Sequence, residues 1–207
     1  AYASKIVPKV HERRRTSISS SSGERIKIGY FSADLYTHAT SHLLAEVFEN
    51  HDRRRFEVNV FSFSKKSPDD VTRRIEQAVE NYFDVASLSN RDIAHLARDL
   101  HIDIAIDLKG YTEESRPGIF HEGCAPVQIN YLGYPGTLAS TAYDHIIVDN
   151  IVAPPDHQPF YSEKLLYLPD CYQPNDGKRQ ISDRIFSREE CGIPDGAFVF
   201  CSFNNNY

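Results

Sequence analysis

From Arg25 onward the chain repeats one pattern: a short apolar run, a polar turn, then a segment with apolar residues at helical spacing. Strand signals fall at Arg25–Phe31, Phe56–Phe63, Tyr82–Val85 and Ile102–Leu108. Between them lie helix signals at Ser41–Asn50, from Asp69 or Asp70 to about Glu80, and at Ser89–Leu100. The helical stripes are Leu43, Leu44, Val47 and Phe48; then Val71, Ile75 and Val79; then Ile93, Leu96, Ala97 and Leu100. Thr40 or Ser41 is available as cap of the first helix. Two parallel strands need a crossover, so repeated β-α units predict an α/β, Rossmann-like parallel sheet with helices on both faces.

The pattern continues more loosely. A helix is expected near Ser115–His121, strands at Val127–Leu132, Ile146–Val148 and Leu165–Leu168, and a brief helix with a capping box at Ser187–Glu190. Ala197–Phe203 reads as a further strand. Residues 149–195 are rich in loops and prolines, as in a passage between lobes. Residues 1–24, with Arg13-Arg14-Arg15 and a serine run, have linker composition that buries too little apolar surface to order itself. The absence of methionine and the stop at Phe203–Tyr207, directly after an apolar run, read as an excised fragment.

Charge and cysteine content narrow the function. A net charge of −6 supplies no global basic field for nucleic acid or an anionic membrane surface. Cys124, Cys171, Cys191 and Cys201 form no C-x-x-C pair, which argues against a zinc ribbon, a redox motif or a secreted disulfide scaffold. A reducing cytoplasm is the expected compartment. No apolar run approaches the length of a membrane span. A P-loop, a G-x-G-x-x-G fingerprint and a G-x-S-x-G elbow are all absent, and the lone H-x-x-x-H pair, His38 and His42, lacks a following glutamate to act as base.

Ligands of open parallel sheets bind beyond the carboxyl ends of the strands. Three segments occupy that rim: Ser32–His42, Lys109–Thr112 and Leu132–Thr137. Asp34 and His38 offer titratable groups, Thr40 and Ser41 offer hydroxyls and amides at a helix start, and Gly133 and Gly136 admit close backbone approach. This chemistry suits a polar, anionic, carbohydrate-like ligand. Each feature also has a plain structural explanation: a turn or cap for Asp34, a surface position for His38, a pair of turns for Gly133–Gly136. Tyr131 and Tyr134 are expected to leave an exposed aromatic face near the rim.

The ordered set Ile28–Asp34, His38–His42, Arg55–Val58, Gly110–Thr112, Ala125–Gln128, Leu132–Thr137, Tyr161–Leu165 and Phe203-Asn204 resembles the catalytic region of the protein O-GlcNAc transferases, glycosyltransferase family 41. The resemblance implies the first lobe of a GT-B type enzyme over residues 25–195, with 196–207 opening a second, nucleotide-binding lobe and a tetratricopeptide region upstream. It implies inverting, metal-independent transfer of N-acetylglucosamine from UDP-GlcNAc to Ser or Thr of acceptor proteins, with no cofactor beyond that donor. By the same likeness Asp34 and His38 stand at the junction of sugar and acceptor. Thr40, Leu132, Gly133, Tyr134 and Pro135 contact substrate, and Asn205 lies near the donor phosphates. Ala39 stands where animal members carry proline. The missing lobe supplies most contacts to UDP, so the fragment alone is expected to be inactive. Asp34, His38, a donor phosphate oxygen or a water chain can each take the acceptor's proton. The alternatives are a relative using another hexose or an Asn acceptor, and a non-catalytic flavodoxin-like domain that binds a ligand or partner.

Overall fold

The structure, a computed structural model, describes residues 24–202. The proposed connector therefore lies outside the described residues except for Glu24, and Phe203, Asn204 and Asn205 lie outside them too. In chain order the elements are β1 (Ile26–Ser32), α1 (Ala39–Glu49), β2 (Phe56–Ser62), α2 (Asp70–Ala78), β3 (Asn81–Asp84), α3 (Asn90–Asp99), β4 (Ile104–Asp107), α4 (Gly118–His121), β5 (Val127–Asn130), β6 (His145–Val148), a 3₁₀-helix (Pro155–Phe160) and β7 (Lys164–Tyr167). All seven strands are parallel, in the order β3-β2-β1-β4-β5-β6-β7. This is the Rossmann-like sheet that the alternating pattern predicts.

Central strands β1 and β2 bury apolar side chains on both of their faces because helices cover both. On one face Ile28, Tyr30, Val58 and Val60 pack with Leu44 and Phe48 of α1 and Ile75 of α2. On the other, Phe31 and Phe61 stack at 4.4 Å and meet Ile93 and Ala97 of α3 and Ile119 and Phe120 of α4. Burial of these side chains stabilises the fold by about 1.5–3 kcal/mol for each large one. A smaller cluster of Ile146, Val148 and Ala153 closes the β6–β7 end.

The compact unit runs to Gly177. Its last residues are held by Arg74, which bridges Glu49 and Asp176, and by Glu46, which accepts from the Gly177 amide at 2.6 Å. The second unit begins at Lys178 and has no helix or strand among its described residues. Two sequence expectations fail there. Ser187 and Glu190 do make the reciprocal capping contacts, yet the chain makes only a turn, because Gly192 at φ +65° reverses it immediately. Ala197–Ser202 is not a strand: it has no neighbouring strand among the described residues, and apolar composition without a ladder does not define one. Phe198 and Phe200 are exposed, with ring centroids 4.9 Å apart.

Candidate active site at the β1–β4 switch point

The strand order reverses direction between β1 and β4, since β1 leads to β2 on one side and the chain returns to β4 on the other. The loops leaving these two strands diverge and leave a crevice at their carboxyl ends, where open α/β sheets bind ligands. The loop after β1 contains Asp34 and His38; the loop after β4 contains Lys109, Gly110 and Tyr111.

Asp34 is 6% exposed, and its carboxylate accepts from Lys109 Nζ at 2.5 Å. Lys109 is itself 4% exposed, so this is a buried ion pair joining the two loops. The Asp34 backbone is fixed at both ends: its amide donates to Ser32 Oγ at 3.0 Å, and its carbonyl accepts from Ser41 Oγ at 2.5 Å. His38 caps α1, its Nδ1 accepting from the Thr40 amide at 3.2 Å and lying 3.7 Å from Asp34 Oδ2. The cap is thus His38, not Thr40 or Ser41. A hydroxyl at Thr40 or Ser41 would suit the role, but the Ser41 hydroxyl is committed to the Asp34 carbonyl and the Thr40 amide to His38. Ser41 is fully buried and Thr40 nearly so, while His38 is partly open. No acidic side chain occupies the first turn of α1, so its N-terminal partial positive charge is uncompensated from within the helix.

Asp107, at the end of β4, shapes the second loop. Its Oδ1 accepts from the amides of Lys109 and Gly110 at 2.9 and 3.1 Å, and its Oδ2 from the Tyr143 hydroxyl at 2.6 Å. Burial pushes the Asp107 carboxyl above its ordinary range, and these donors pull it back. The carbonyl of Lys109 accepts from the Thr112 hydroxyl at 2.9 Å, which closes the turn.

The third rim segment, Leu132–Thr137, lies against the β4 loop. Leu132 has φ +70°, and the Gly133 amide donates to the Tyr131 carbonyl at 2.9 Å, which makes a strained γ-turn around Leu132. Gly133 follows because a Cβ there would collide with the Leu108 carbonyl and come within 3.1 Å of Lys109 Cα. Tyr134 is partly exposed and packs edge-on to Tyr111 at 5.8 Å, Pro135 is exposed, and the Tyr111 hydroxyl donates to the Leu138 carbonyl. Asn130 Nδ2 donates to the carbonyls of Tyr134 and Gly136 at 3.1 and 3.2 Å. Buried Glu163 takes the Leu138 amide and the Thr137 hydroxyl, both at 2.7 Å.

The β4 loop therefore connects the predicted residues: Asp34, His38 and Thr40 on one side through Lys109, and Leu132, Gly133, Tyr134 and Pro135 on the other through Leu108, Gly110 and Tyr111. Asn205 lies outside the described residues. Tyr131 is not part of an exposed aromatic face; it is 7% exposed, and its hydroxyl donates to the Tyr172 carbonyl. Sequence reading missed Lys109 and Glu163 as partners. Both lie in quoted motifs, but no local spacing pairs them with Asp34 or Leu138.

A profile of glycosyl transferase family 41 matches residues 5–183. The chain belongs to glycosyl transferase family 41. The probable UDP-N-acetylglucosamine–peptide N-acetylglucosaminyltransferase SEC of Arabidopsis thaliana is 36% identical over 189 residues, 89% of this chain and 19% of that protein. The UDP-N-acetylglucosamine–peptide N-acetylglucosaminyltransferase of Caenorhabditis elegans is 31% identical over 188 residues, 88% of this chain and 16% of that one. Among solved structures, a mutant of the Thermobaculum terrenum O-GlcNAc transferase superposes with a TM-score of 0.70 at 32% identity, covering 73% of this chain and 29% of that chain. This family 41 chain thus has the α/β, Rossmann-like fold of a first catalytic lobe and spans a small part of its relatives' length. Among the described residues no helix is long and apolar enough to cross a membrane.

Proposed function

We propose that this chain is the acceptor-side lobe of a protein O-glycosyltransferase that moves N-acetylglucosamine from UDP-GlcNAc to Ser or Thr hydroxyls. One observation carries the reading: in a family 41 chain, Asp34 and His38 meet at the β1–β4 switch point, beside the N-terminus of α1. In this reading residues 25–195 are assigned to the lobe, whose compact unit ends at Gly177, residues 1–24 to a connector from an upstream repeat region, and residues 196–207, including Asn205, to the start of a second lobe that binds the nucleotide.

His38 and Asp34 border the sugar and the incoming hydroxyl, Thr40 lies beside the sugar, and Leu132–Pro135 form the facing wall. Attack of the hydroxyl oxygen on the anomeric carbon from the side opposite UDP breaks the anomeric C–O bond to UDP and inverts that centre, the hydroxyl proton passing to one of Asp34, His38, a donor phosphate oxygen or a water chain, without metal or cofactor. The second lobe neutralises the diphosphate leaving group, so this chain alone does not turn over. Cys171, Cys191 and Cys201 are exposed, and no disulfide joins the cysteines among the described residues, which suits the reducing cytoplasm proposed as its compartment.

The test is UDP-GlcNAc-dependent labelling of acceptor protein by the longer polypeptide that contains this chain, comparing wild type, His38→Ala and His38→Asn. Asn retains helix-capping ability, so it separates loss of the cap from loss of the ring. Transfer by the wild type and its loss in both variants support the reading. A folded wild type that transfers sugar from no nucleotide donor defeats it, and a non-catalytic binding role takes its place.

A further inference from the structure

Lys109 has no role in the reading above, yet it is the most deeply buried cation at the site. Its ammonium ends on Asp34 Oδ2 at 2.5 Å, and the same oxygen lies 3.7 Å from His38 Nδ1. That imidazole nitrogen is engaged by the Thr40 amide, at 3.2 Å. A backbone amide only donates, so Nδ1 presents a lone pair, and the single proton of a neutral His38 sits on Nε2.

This arrangement needs explaining, because an anionic carboxylate beside a histidine usually draws a proton onto the facing nitrogen. Here a full positive charge has already met that carboxylate. Lys109 is also held rigidly enough to do this: its amide is bound by Asp107 and its carbonyl by Thr112.

We propose that Lys109 is a positioning residue that fixes the tautomer of His38, so that the ring presents an N–H donor, and not a base, at Nε2. By occupying Asp34, Lys109 leaves Nδ1 free to accept from the helix amide. Neutral His38 then stabilises an oxygen of the ligand through Nε2–H and does not remove the acceptor's proton there. Where that ligand is the sugar and hydroxyl proposed above, the inference rests on that reading; the tautomer itself does not.

The experiment is long-range ¹⁵N–¹H correlation of the histidine side chains in the full chain without ligand, at mildly alkaline pH where an ordinary imidazole is neutral. His38 resonances are assigned by their loss in His38→Asn. In wild type, Nδ1 should resonate in the downfield, unprotonated range and Nε2 in the upfield, protonated range. In Lys109→Met the released carboxylate should draw a proton to Nδ1, moving that resonance upfield. The double variant Asp34→Ala/Lys109→Met, which leaves no buried charge unpaired, should restore the wild-type pattern. A wild type protonated at Nδ1, or a folded Lys109→Met chain whose His38 is unchanged, overturns the proposal. If Lys109→Met fails to fold, a wild type protonated at Nδ1, or a double variant that departs from the wild-type pattern, still overturns the proposal. Absence of sugar transfer by the longer protein would defeat the proposed function and leave this result standing.

Discussion

Lys109 Nζ and Asp34 Oδ2 lie 2.5 Å apart although their residues are 75 positions apart in the chain. The pair bridges the loops leaving β1 and β4, and both partners are almost wholly buried. Removing one charge from such a pair strands the other in a medium that solvates it poorly. Lys109→Met should therefore destabilise the chain by about 3–5 kcal/mol. The double variant Asp34→Ala/Lys109→Met should cost clearly less, as read from urea denaturation midpoints. A double variant costing the sum of the separate Asp34→Ala and Lys109→Met losses would show that the pair is not coupled.

Gly133→Ala tests the contact between the third rim loop and β4. The added methyl would collide with the Leu108 carbonyl, which belongs to backbone and cannot swing aside. A loss of about 1–3 kcal/mol is expected, the usual cost of overpacking. Amide shifts should change along residues 131–137 and at Leu108 and Lys109. Unchanged stability and spectra would mean that the loop does not rest on β4.

Glu163 holds the far end of that loop by taking the Leu138 amide and the Thr137 hydroxyl. Glu163→Ala leaves a buried amide without an acceptor and should cost about 1–3 kcal/mol. Glu163→Gln keeps one acceptor oxygen and should cost less. Hydrogen exchange at the Leu138 amide should quicken strongly in Glu163→Ala, and protection equal to wild type would count against the assignment.

The buried tyrosines predict a decline in stability at alkaline pH. Burial pushes the Tyr131 hydroxyl up to about 12, and Tyr30 and Tyr143 move in the same direction. The folded state thus retains protons that the unfolded chain releases near pH 10. Their contribution is whole below about pH 10 and is lost as pH rises through the folded value. Tyr131→Phe, which cannot ionise there, should show a shallower fall in urea midpoint between neutral pH and about pH 11. An identical slope in both proteins would refute the shift at Tyr131.

Periodicity and turn chemistry determined much on their own. The β-α alternation made the parallel sheet legible, because a strand buried on both faces carries apolar residues on both and a crossover helix has to carry one stripe. Asp69 and Ser89 cap α2 and α3 at or beside the positions expected, since capping is a contact within four residues. The rim segments were also legible, as strand ends followed by glycine and short polar residues.

Contacts across strand order were decided only in three dimensions. Nothing near Asp34 in sequence announces Lys109; the two meet because β4 inserts beside β1, which the chain reaches after placing β2 and β3 on the other side. Glu163 finds Leu138 in the same way, through the parallel addition of β6 and β7. His38 became the cap of α1 once Ser41 was drawn to the Asp34 carbonyl, a competition between hydrogen-bond partners that helical spacing does not record. Ala197–Ser202 shows the converse: its residues have the composition of a strand, but a strand exists only where a neighbour supplies the other half of its hydrogen bonds.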